Sequence, residues 1–155
     1  MRRLSGLLLA GAIMMLPAFS QDHVRAAEQA AAPQKTTFTG DAVIQAFSVN
    51  PDKVADYEAV MGKLKEALAK SARPEAKAQA AGWKVFKNAV PNPDGTLVYV
   101  HVINPVVKDA DYSILNNAYE AVPAAEQRAL YDTYRAALKA PLFVIQGALT
   151  SDFGK

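Results

Sequence analysis

Residues 96–103 lie between the turn cluster Pro91-Asn92-Pro93-Asp94-Gly95 and the stop at Asn104-Pro105. Their core reads Leu-Val-Tyr-Val-His-Val-Ile, with a valine at every second place. Side chains alternate across a strand, and β-branched residues lose rotamer freedom in a helix. The run therefore predicts a strand. The turn cluster carries proline and glycine where tight turns need them, so residues 83–90 are expected to pair with it as a hairpin. A chain holding this hairpin cannot be a helical bundle, and its helical stretches must pack on a sheet.

Those stretches are legible. Asn50-Pro51 starts a helix that runs to about Lys70, with Val54, Tyr57, Met61, Leu64 and Leu68 as its apolar stripe. Pro74 opens a second short turn that Gly82 ends. Asp109 or Asp111 caps a helix through Tyr119. Pro123 interrupts it and restarts a helix to about Ala140, with Leu130, Tyr131, Tyr134 and Leu138 on one face. Pro141 is expected to end that helix. Residues 41–49 and 142–149 read as the outer strands. The predicted order is β-α-β-β-α-β. It gives an α+β, ferredoxin-like fold: a four-stranded antiparallel sheet with the helices on one face and the second helix broken near Pro123.

The N-terminus has a different character. Arg2 and Arg3 precede the uncharged stretch 4–19, Pro17 breaks it, and Ala18-Phe19-Ser20 sets small residues before Gln21. This is the layout of a secretory signal peptide over residues 1–20, cut after Ser20 or, at a second candidate site, after Ala26 or Ala27. The stretch is shorter than the roughly 20 apolar residues that span a bilayer, so no stable membrane anchor is expected. Ser5 and Gly6 argue against a twin-arginine signal. Residues 21–39, rich in Ala and Gln, read as a flexible linker, and residues 40–155 as the folded domain. The expected destination is a bacterial periplasm or the medium.

Composition removes many functions. The chain has 155 residues, about one domain, and is 51% hydrophobic and 21% charged, as folded proteins are. Without Arg2 and Arg3 its acidic and basic residues balance, which leaves no electrostatic footprint for nucleic acid. It has no cysteine, hence no disulfide, catalytic thiol, thiolate-bound zinc or iron–sulfur cluster. There is no glycine-rich phosphate loop and no histidine–carboxylate set at ligand spacing, so neither a cofactor nor a metal is expected. Of the two histidines, His23 lies in the linker and only His101 lies in the domain.

From about residue 41 to residue 153, the element order, the element lengths and the broken second helix resemble the dimeric α+β barrel superfamily. That superfamily includes small antibiotic-biosynthesis-type monooxygenases. The resemblance implies a homodimer whose two sheets face each other and enclose a space for a small, often aromatic, molecule. Haem-degrading relatives of this fold use a histidine on the second long helix, and residues 112–140 contain none.

Strand periodicity sorts the candidates for such a cavity. The row Val98, Val100 and Val102 suits packing under helices, as do Phe143 and Ile145. Tyr99 and His101 then fall on the second face with Gln45, Phe47 and Gln146. These five are the ligand-cavity candidates, with His101 as a base or donor near neutral pK. The ordinary reading of His101, Tyr99 and Trp83 is a satisfied core or interface, and of Asp109 and Asp111, helix capping. The expected function is an exported homodimer that binds a small apolar or aromatic ligand. The alternative is a cofactor-independent monooxygenase or isomerase acting on a small aromatic or quinone-like substrate. No catalytic residue is assigned.

Overall fold

The structure, a computed structural model, describes residues 34–154. The expected signal peptide and most of the expected linker lie outside the described residues. The domain is α+β. Its strands are β1 (Ala42–Val49), β2 (Trp83–Lys87), β3 (Leu97–Ile103) and β4 (Leu138–Gly147). They form one antiparallel sheet in the order β2-β3-β1-β4. Helices α1 (Val54–Lys70) and α2 (Ala76–Gly82) connect β1 to β2, and α3 (Ile114–Ala118) and α4 (Ala124–Ala137) connect β3 to β4. Each expected helical connection thus contains two helices. Ser71 takes an extended backbone and ends α1, and Pro123 sits at the N-cap of α4. Among the described residues, no helix is long and apolar enough to cross a membrane.

One boundary differs from the sequence reading. α4 stops at Ala137 instead of about Ala140, and β4 begins at Leu138 and runs through Pro141. A proline removes one ladder donor, which is tolerable at an edge strand or a bulge. β4 is the sheet edge, and its register with β1 shifts between Ala46 and Phe47, beside Pro141.

The faces of the sheet are the reverse of the expected assignment. Tyr99, His101 and Ile103 lie under the helices in the core, whereas Val98, Val100 and Val102 are half-buried on the opposite side. The pairings Val43–Ile103, Gln45–His101 and Phe47–Tyr99 carry β1 with them. Phe143 and Ile145, expected under the helices, pair with Ala46 and Ile44 and are exposed on the open side. Period-two alternation defines two faces but not which one is covered. Valine suits either, and the histidine finds its partners on α1 and β2.

The core lies between the covered face and the helices, with Val43, Val49, Tyr57, Val60, Leu64, Trp83, Ile103 and Tyr112 at its centre. Tyr134 of α4 stacks on Tyr57 of α1 at 6.2 Å, as a helix anchor should, whereas Tyr131 is exposed beneath Arg128. The end of the expected linker is docked on the domain. Phe38 is buried against Tyr112, Thr36 N–H donates to Asp111, and Thr39 N–H donates to Gln146 Oε1. Arg73 ties the α1–α2 connection to α3 and the turn after it, donating to Glu120, Glu75, Gln79 and Asn117.

Candidate functional site

His101 has no exposed surface. The Trp83 indole, which can only donate, gives its Nε1–H to His101 Nδ1 at 3.0 Å. The imidazole proton therefore sits on Nε2, which donates to the Tyr57 hydroxyl at 2.8 Å. Phe47 meets the ring edge-on at 5.2 Å. Burial lowers the His101 pKa to about 4. A second ring proton would also point an N–H at the N–H of Trp83. The ring is neutral near pH 7 and both its nitrogens are occupied. It joins β3, β2 and α1, and its lone pairs are engaged within the core.

The other candidates separate. The Tyr99 ring packs tilted against Tyr57 at 4.6 Å, and its hydroxyl donates to Glu58 Oε1 at 2.6 Å. Burial and the Glu58 carboxylate raise its pKa, and the bonds from Tyr99 and Lys87 hold the Glu58 carboxyl below the usual range. Gln146 secures the approach to β1 by accepting from Thr39 and Gly40. Asp111 accepts from Thr36 N–H, Ser113 N–H and Asn116 Nδ2, so its carboxylate is an anchor at the start of α3. The cap itself is Ser113. Asp109 adopts a left-handed turn, with φ of 61°. Among the described residues, no three His, Cys, Asp or Glu side chains gather where they could hold a metal ion.

Gln45 and Phe47 do share a site. On the helix side of β1, a cleft of about 280 Å³ opens among Gln45, Phe47, Tyr134, Tyr112, Ser113 and Leu115. Gln45 is only 6% exposed and Tyr134 8%, yet neither side chain has a hydrogen-bond partner among the described residues. No fully enclosed side-chain polar atom in this region lacks a partner. The amide of Gln45 and the hydroxyl of Tyr134 must therefore reach accessible space, and this cleft is the one that both line. Burial raises the Tyr134 pKa to about 12, so its hydroxyl keeps its proton and can donate. Among the described residues, no charged side chain lines the cleft.

Sequence reasoning placed Gln45 and Phe47 together but gave Tyr134 only an anchoring role, and it did not single out Tyr112 or Ser113. These come from α4 and from the loop that leads into α3, and no local period shows that they meet β1. A larger groove of about 620 Å³ runs between α1, α2 and β2 over Met61, Leu64, Leu68 and Val85. Its lining is mostly apolar, and its charged groups, Lys65 and Lys84, are surface lysines. Comparison with protein-family models, with curated proteins and with solved structures finds no match to this chain.

Proposed function

We propose that this chain is an exported, homodimeric binding domain for a small aromatic molecule, and that the molecule sits in the cleft at Gln45. One observation carries the binding site: two side chains more than nine-tenths buried, Gln45 and Tyr134, open onto one aromatic-walled cleft with no hydrogen-bond partner among the described residues. Both groups reach the space of the cleft, so a guest that brings a matching donor or acceptor can pair with them in place of water. Ligand pockets combine such apolar walls with a few converging polar groups. On this reading the ligand lies under the helices of one protomer and not between two sheets. Among the described residues, the cleft lining has no carboxylate or imidazole to move a proton, which favours binding over the oxygenase or isomerase reading. The test is nuclear magnetic resonance of the mature protein titrated with acetophenone. The side-chain amide signals of Gln45 and the ring signals of Phe47 and Tyr134 should shift together. Saturating probe with no shift at these residues would end the reading.

The ferredoxin-like plan and the dimeric barrel rest on the open face of the sheet. Ile44, Phe86, Phe143 and Ile145 are exposed there around the half-buried Val98, Val100 and Val102. All helices of the described residues pack on the other side, and a contiguous apolar face of this kind marks an interface. A second copy meeting it through a two-fold axis would satisfy both faces. Light scattering of the mature chain at micromolar concentration should give twice the monomer mass, and a monomer would refute the barrel.

A further inference from the structure

Resting on the cleft reading above, we infer that the guest is a neutral, planar ring compound carrying a carboxamide or lactam group, whose amide edge pairs with the side chain of Gln45. A glutamine amide presents a carbonyl acceptor and N–H donors side by side. A ketone engages only the donors, and an ether or a halide leaves the carbonyl unmet. An amide edge offers the matching donor and acceptor in one plane and satisfies both halves. The hydroxyl of Tyr134, protonated at all ordinary pH, is a second partner on the same wall.

Charge and size narrow the class further. Among the described residues, no Lys, Arg, His, Asp or Glu lines the cleft. An ionised carboxylate, ammonium or phosphate would shed its water there and meet no counter-charge, which is the costly form of burial. The walls of Phe47, Tyr112 and Tyr134 favour a flat ring, since aromatic pairs gain from offset or edge-on contact. About 280 Å³ lies at the low end of ligand pockets, roughly 300–1,000 Å³, which suits one or two fused rings and excludes a nucleotide or a lipid chain.

The experiment compares three probes of nearly equal shape: benzamide, acetophenone and benzoate. Their affinities for the full mature protein are measured at pH 7 by the shift of the Gln45 and Phe47 signals. Benzamide should bind at least tenfold more tightly than acetophenone, and benzoate should be weaker than either. Gln45→Leu should remove the difference between the two, weakening benzamide at least tenfold more than acetophenone. Gln45→Met, closer in length, serves if the leucine variant does not fold. Benzoate binding as well as benzamide, or an unchanged ranking in the Gln45 variant, would overturn the amide class and leave the cleft standing. Failure of both benzamide and acetophenone to bind the folded protein would overturn the cleft and the amide class together.

Discussion

β3 presents two surfaces of different character, one mixed aromatic and polar and one all valine. On one side Tyr99, His101 and Ile103 are buried, and on the other Val98, Val100 and Val102 are half-covered. By hydrophobicity alone the valine side belongs inside. The contrast shows that burial follows the availability of partners as well as apolar character. His101 can be inside because Trp83 and Tyr57 fill both its nitrogens, whereas the valines need only some apolar neighbour. A polar residue under the helices thus fixes the register of three elements, and the valine face is left free to meet another surface.

The contrast is most easily broken at its centre. His101→Ala removes an acceptor from Trp83 and a donor from Tyr57 and leaves a hole, so it should cost about 3–4 kcal/mol in urea denaturation. A loss below about 1 kcal/mol would mean that the buried network is incidental. Acid gives an effect of similar size. The folded state holds the His101 pKa near 4, below its unfolded value of about 6.5. The unfolded chain therefore takes up the proton first as pH falls. This stabilisation is complete above about pH 6.5 and is lost on descent to pH 4, by about 3 kcal/mol in all. In His101→Gln the stability curve across that window should flatten, and a slope equal to wild type would assign the acid loss elsewhere.

Paired truncations along the strand sharpen the comparison. Ile103→Ala should cost about 2–4 kcal/mol, and Val102→Ala, one residue away on the open side, under about 1 kcal/mol measured at protein concentrations that favour the monomer. If self-association covers the open face, the cost of Val102→Ala should grow with protein concentration, and that of Ile103→Ala should not. The smallest effect belongs to the rim of the covered face. Tyr99→Phe loses one bond to the half-exposed Glu58, worth about 0.5–1 kcal/mol, and leaves the packing against Tyr57 intact.

Much of this fold was legible in the sequence because its signals are local. The valine run, the Pro91–Gly95 turn, the stripe on α1 and the proline breaks each act within a few residues. The reversed faces were not legible, since alternation is symmetric until something covers one side. Pro141 misled for a related reason: it ends helices by a local clash, yet here the helix had already ended and the proline sits in an edge strand at a register shift. Gln45 and Phe47 were found because they share a strand face. Tyr134 as a lining residue was not, because α4 reaches β1 only through the packing of the whole domain.

The bond from Trp83 to His101 has an optical consequence. Trp83 is the chain's single tryptophan, so all its indole emission comes from one ring held against one imidazole. A protonated imidazole quenches indole fluorescence far more strongly than a neutral one. The protein therefore carries its own reporter: emission should hold steady through mild acid, while the core keeps the imidazole neutral, and change where the core admits a proton or opens. Read beside circular dichroism, that single signal would tell whether charge enters the closed domain or waits for it to come apart.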